Sequence, residues 1–216
     1  MKFTEQIEQQ IYKEFKNIDP NAYQEQIRYF DNNRADIRQL PYELRTYIEC
    51  KYAIAAFEVK DYYGFLTIAD RLISIVVRDN IYDIDGVDIF KDLLYKKAIA
   101  AHKVLDYYKS DHIFSELIKM DFNDKDFMSG YLKNGIEKRR YEVKYLNAVS
   151  IVLFFLAAGI ICVELLMVRP FYKEWIELIE YARNFIFIGG ILVLFYLEAW
   201  IRISTYKSLE KLKKVK

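Results

Sequence analysis

The sequence predicts an all-α chain: helical hairpin repeats in a cytosolic part, followed by a C-terminal two-helix transmembrane hairpin. Three observations carry this. Apolar residues recur at helical spacing through the first 144 residues, with no sustained alternation of period two. Only seven glycines and three prolines punctuate 216 residues, too few for a chain of short strands and tight turns. Two long apolar stretches then lie beyond Tyr145, each close to the roughly 20 helical residues that a bilayer core requires. The domain boundary therefore falls between residues 144 and 145, with a helical domain before it and a membrane hairpin with a basic tail after it.

Residues 1–40 read as one or two capping helices, with Asp19-Pro20 marking a start. Pro41 suits the first turn of a helix running to about Val59. Asp61 then caps a second helix to about Arg78. A second pair starts near Asp88, turns at Asp106 and ends near Met120. The two pairs carry nearly the same words: AIAAFEVKDYY at 53–63 and AIAAHKVLDYY at 98–108. Upstream, Lys51 is answered by Lys96; downstream, Ile68, Leu72 and Ile73 are answered by Ile113, Leu117 and Ile118. Small residues at Ala53, Ala56, Ala98 and Ala101 let helices approach closely, and Tyr62 and Tyr107 follow the capping aspartates to pack against the interface. A repeated helical hairpin cannot bury its face alone, so copies stack. Residues from about 124 to 144 continue as a helix into the first span.

The segment LDYYKSDHIFSELIKMDFND (105–124) resembles the second half of a tetratricopeptide repeat (TPR) through Asp106, Tyr107, Phe114, Asp121 and Asn123. The resemblance covers about two units, residues 41–124. The period is 45 instead of the family's usual length of about 34. Leu117 stands where a small residue is usual, Phe122 replaces the customary proline, and Phe65 in the upstream copy stands where Ser110 does downstream. The resemblance implies a TPR-like stack with longer helices, an architecture that binds peptides or other proteins.

The spans run from about 145 to 168 and from 185 to 203. Lys138, Arg139, Arg140 and Lys144 precede the first, and Arg202, Lys207, Lys211, Lys213, Lys214 and Lys216 follow the second. The positive-inside rule then puts both termini in the cytoplasm of an inner (plasma) membrane, with a short outer loop around Trp175. Ala157, Ala158 and Gly159, with Gly189 and Gly190, lie at matching depth and form the expected small-residue contact, within one hairpin or between neighbouring ones. Glu164 is placed to meet Arg169 or Arg183. Glu198 precedes Arg202 by four residues, the favourable order for a helical ion pair.

The function classes narrow by what the chain carries. Net charge is +1, which argues against nucleic acid as the main partner. Residues 1–144 hold 23 Lys/Arg against 25 Asp/Glu. Cys50 and Cys162 suggest neither a disulfide framework nor a zinc site. His102 and His112 stand with no nucleophile, and no phosphate loop or serine elbow is present, so no enzyme, cofactor or metal site is expected. DIDGVD (83–88) shares Asp83, Asp85 and Gly86 with a calcium loop, but Ile81 and Asp92 stand at its first and twelfth positions, so an acidic solvated loop is expected. Three readings follow. One is an oligomeric membrane-perturbing effector that forms a pore or depolarises the membrane, controlled by the cytosolic domain. Its layout, and only its layout, is similar to the small two-transmembrane effectors of bacterial antiphage systems such as those paired with retrons. Another is a membrane-tethered adaptor binding a cytosolic protein. The third is a subunit of a larger membrane complex or transporter. The expected partners are the lipid bilayer, further copies of the chain, and a cytosolic trigger or protein.

Overall fold

The computed structural model describes residues 2–81 and 83–214, with side chains described from residue 8 onward except at 173. It is all-α apart from one two-residue hairpin, and its contacts divide the chain into two compact units, 1–131 and 132–216.

In the first unit α1 (Lys2–Lys16), α2 (Tyr23–Asn32) and the short α3 (Arg34–Ile37) precede the repeats. Asp19 makes a turn ahead of α2, its carboxylate accepting from the Asn21 N–H at 2.8 Å. Phe15, Phe30 and Ile37 from these helices, with Leu40 in the turn after α3, bury against Ile48, so the N-terminal helices share a core with the repeats. The hairpins are α4 (Tyr42–Glu58) with α5 (Tyr62–Arg78), and α6 (Ile89–Lys103) with α7 (Tyr107–Met120). Pro41 sits one position earlier than expected, as the N-cap of α4 with extended ψ.

The repeated sequence makes a repeated turn. Val59 and Val104 close their helices, and Lys60 and Leu105 then adopt left-handed φ of 68° and 66°. The Asp61 N–H reaches back to the Ala56 carbonyl, and the Asp106 N–H to the Ala101 carbonyl, both at 2.9 Å. These bonds satisfy carbonyls that a helix end leaves open. Each aspartate then caps the next helix: the carboxylate of Asp61 accepts from Gly64 N–H at 2.9 Å, and that of Asp106 from Lys109 N–H at 3.1 Å. One residue in αL thus separates a C-cap from an N-cap, which is why "VKDYY" and "VLDYY" make the same corner.

Between the hairpins lies the segment with the aspartates of a calcium loop. It forms β1 (Asp83–Ile84) and β2 (Val87–Asp88), antiparallel, joined by Asp85 and Gly86 at φ 54° and 82°. Two left-handed residues in succession match a tight two-residue turn, and Asp-Gly is a favoured pair there. The expected acidic, solvated loop takes the form of a small hairpin, exposed at 83 and 85–88 and buried at Ile84. Asp85 is engaged by the Lys51 ammonium at 2.5 Å and the Tyr47 hydroxyl at 3.0 Å, and Asp88 caps α6 through Lys91 N–H.

α8 (Lys125–Glu142) crosses the unit boundary, which falls at 131/132 instead of 144/145. The C-terminal half of α8 belongs with the apolar helices because Arg139 and Arg140 bond to α11 (Ile176–Lys214). The helix is interrupted for one residue at Val143 before α9 (Lys144–Val163) begins. A π-helical turn, Glu164–Val168, and α10 (Arg169–Phe171) extend α9. The loop expected from 169 to 184 is much shorter than its sequence suggested. The break occupies Tyr172–Trp175, and Ile176–Asn184 already belongs to α11.

Candidate functional site

Each hairpin position picked from the repeat lands at a helix contact of the first unit. Ala53, Ala56, Ala98 and Ala101 are all buried, as are Ala55 and Ala100. Tyr62 packs edge-on to Phe57 at 5.7 Å between ring centres, and Tyr107 edge-on to His102 at 5.6 Å. Phe57 and His102 are themselves matching positions, so His102 is a buried packing residue. The second tyrosine of each pair points the other way: Tyr63 and Tyr108 are exposed. Phe65 and Ser110 occupy the same buried site in the two copies, and Ser110 Oγ has no hydrogen-bond partner among the described residues. Burial pushes the Cys50 thiol up to about 12, with Glu49 adding to the effect.

In the second unit, α9 and α11 pair lengthwise. Both are long and apolar enough to cross a membrane, and only 17% of the most apolar window of each is buried. That fraction is far below what the core helix of a globular domain would show; Phe155, Leu166, Phe185 and Phe195 all stand exposed. The small residues divide. Ala157 is buried and Gly190 receives Phe154, whose ring lies 3.2 Å from where a Cβ would stand. Phe154 also meets Phe187 edge-on at 5.6 Å. Ala158 and Gly159 are exposed, and Gly159 and Gly189 have open space where a Cβ would be. Within one hairpin the contact is thus Ala157 and Gly190; Ala158, Gly159 and Gly189 are not part of it. Residues on either side of a contact position are turned by about 100° round a helix, so five small residues cannot all face one partner.

The charged residues form two clusters, one toward each end. Glu164 is almost wholly buried at 1% exposure. Its Oε1 accepts from Arg169 at 2.8 and 3.0 Å and its Oε2 from Arg183 at 2.7 Å. Residues five apart in a regular α-helix lie about 140° apart round the axis. The π turn at Glu164–Val168 widens the helix and brings Glu164 and Arg169 to one side. It also precedes Pro170, whose ring would meet the carbonyl four residues back in a regular helix. Toward the other end, Glu198 accepts from Arg202 at 2.9 Å and from Arg140 at 2.9 and 3.2 Å.

Sequence reasoning placed Arg139 only among the basic residues before the first span and missed its contacts. Its guanidinium donates to Ser204 Oγ at 3.1 Å, Thr205 Oγ1 at 3.1 Å, the Ser204 carbonyl at 3.3 Å and Ser208 Oγ at 2.7 Å. The signal was there as three hydroxyl residues, 204, 205 and 208, on one turn of an otherwise apolar-to-basic helix. Gly135 beside them lets α8 approach, its hydrogen side 2.8 Å from Thr205 Cγ2 if a Cβ were added.

Fold and site together define an all-α protein carrying two helices long and apolar enough to span a membrane. Comparison with protein-family models, with curated proteins and with solved structures finds no match.

Proposed function

We propose that this chain is an inner-membrane effector whose hairpins assemble into a membrane-perturbing oligomer, a pore or depolarising assembly, controlled by its cytosolic helical-repeat domain. The observation that supports this is the small-residue face left over once the hairpin has closed. Ala158, Gly159 and Gly189 are open, and small residues are what lets helices from neighbouring copies approach in lipid. Two spans cannot enclose water, so a conducting state needs several copies. The cytosolic domain sets how readily copies gather, and its trigger binds the assembled and separate states unequally. Positive residues before the first span and after the second support cytoplasmic termini and an outer turn near Trp175.

Membrane potential on induction tests the proposal. Wild type depolarises the cell. Gly159→Leu with Gly189→Leu abolishes this while the protein still inserts, because neither position contacts its own hairpin. A wild type that accumulates in the membrane with its trigger present and leaves the potential untouched sinks the effector reading. Reporter fusions at the C-terminus and at 175 check topology.

The second reading is a membrane-tethered adaptor with TPR-like repeats. It is favoured by Tyr63 and Tyr108, repeated and exposed at matching corners, which suit contact with a protein partner. In that case the Gly→Leu pair is silent and Tyr63→Ala with Tyr108→Ala loses the partner.

A further inference from the structure

A cleft of about 600 Å³ opens in the first unit between the capping helices and the first hairpin. Four arginines line it: Arg34, Arg38, Arg45 and Arg71, with one carboxylate, Glu49. Residues 1–144 carry slightly more acid than base, so this concentration is not background. Arg45 Nε is shut off from solvent, 4.0 Å from the nearest Glu49 oxygen, so a ligand meets that side chain, 32% exposed, only through its terminal nitrogens. Arg38 is exposed, with no side-chain partner among the described residues. Glu49 is 12% exposed at its side chain and holds Arg71 at 2.8 Å, and Asp31 holds Arg34 at 3.1 Å; two carboxylates against four guanidinium groups leave the cleft net positive.

The rest of the wall is apolar or aromatic. Phe30 and Tyr52 stack at 4.0 Å with their planes 22° apart, and Arg34 lies over Phe30 at 5.7 Å. Ile37 and Ile68 complete the wall beside Thr67 and Gly64. Guanidinium groups bind phosphate oxygens through paired N–H donors. Aromatic and aliphatic walls accept a planar or apolar body, and the volume falls in the range of small-molecule sites.

We propose that this cleft binds a small phosphorylated ligand of the nucleotide class, its phosphates on Arg38, Arg45 and Arg71 and its base against the half-buried Tyr52 and Ile68. The ligand touches the turn after α3 on one side and α4 and α5 on the other, so its occupancy clamps the capping helices to the first repeat. The site stands whether or not the hairpins self-associate.

The test uses the full chain in phosphatidylcholine nanodiscs, titrated calorimetrically with ATP, GTP, pyrophosphate and adenosine. At least one nucleoside triphosphate binds, pyrophosphate binds about tenfold more weakly or worse, and adenosine alone gives no signal. Binding weakens as salt rises. Arg38→Gln weakens binding by about tenfold or more, the usual consequence of losing a charge-assisted contact. It leaves the ligand-free melting temperature unchanged, because Arg38 has no side-chain partner to lose among the described residues. Lys119→Gln, outside the cleft, leaves binding as in wild type. No binding of ATP, GTP or pyrophosphate overturns the proposal. So does triphosphate binding that Arg38→Gln and the double variant Arg34→Gln/Arg38→Gln leave intact. Equal affinity for pyrophosphate and triphosphates overturns the assignment of the apolar wall to a base.

Discussion

Gly130→Ala tests how α8 packs on the second repeat. A helix-interior glycine replaced by alanine ordinarily gains about 1 kcal/mol from backbone entropy. At Gly130 a Cβ would stand 2.4 Å from both Cε1 and Cζ of Phe114 and 3.2 Å from its Cδ1. Carbon atoms in ordinary contact sit at about 3.5–4.0 Å, so the ring or the helix must move by about 1 Å. The ring has little room: Phe114 is 1% exposed and lies edge-on to Tyr95 at 6.1 Å, and Tyr95 in turn meets Phe127 at 5.5 Å. Overpacking of this kind costs about 1–3 kcal/mol. Set against the propensity gain, the net expectation is destabilisation of about 1 kcal/mol. Amide hydrogen exchange over α7 and α8 of the full chain in detergent measures it. Phe114→Leu removes the obstructing ring atoms, so Gly130→Ala should cost at least about 1 kcal/mol less in that background, a coupling typical of residues in contact. If Gly130→Ala stabilises α8 in the wild-type background, or costs the same with Leu at 114, the packing reasoning fails.

Asp61→Ala and Asp106→Ala should each lose about 1 kcal/mol of stability, the ordinary value of an N-cap, and the two losses should be close because the corners are superimposable in their bonds; hydrogen exchange at the first turns of α5 and α7 reports each separately. Cys50, buried with its thiol held up to about 12, should resist a water-soluble maleimide at pH 8 until the first unit unfolds; labelling of the folded protein at the rate of a free thiol contradicts its burial. Acid should destabilise the first unit. Asp85 is held below the usual carboxylate range by the Lys51 hydrogen bond against the opposing effect of burial. Burial raises Asp70, but Lys97 and Lys109 together outweigh it and lower the carboxyl. A lowered folded value gives stability that is fully present above the unfolded range, about pH 4, and is lost as pH falls through the folded value. Urea midpoints should hold from pH 7 to about 5 and fall below about 4, and Lys51→Met should shrink that fall.

Much of the first unit was legible because its signals are local. Asp61, Asp88 and Asp106 cap helices through their own neighbours' N–H groups, and a cap is read from a few consecutive residues. The repeat was legible for the same reason: nearly identical words make matching corners. The two apolar helices followed from length and composition, and Glu198 with Arg202 from a spacing of four. Tertiary structure decided what depends on rotation and on distant partners. It chose Ala157 and Gly190 over Ala158, Gly159 and Gly189, since helix phase relative to a neighbour is not written in either helix alone. It moved the unit boundary into α8, because Arg139 and Arg140 find their partners more than fifty residues away. It turned most of the expected connecting loop into helix, where a π turn before Pro170 and the burial of Glu164 between Arg169 and Arg183 act together. The arginine cleft belongs to the same class: its four cations are spread from residue 34 to residue 71 on α3 and the turn after it, on α4 and on α5, and only the packing of those helices gathers like charges that the chain keeps apart.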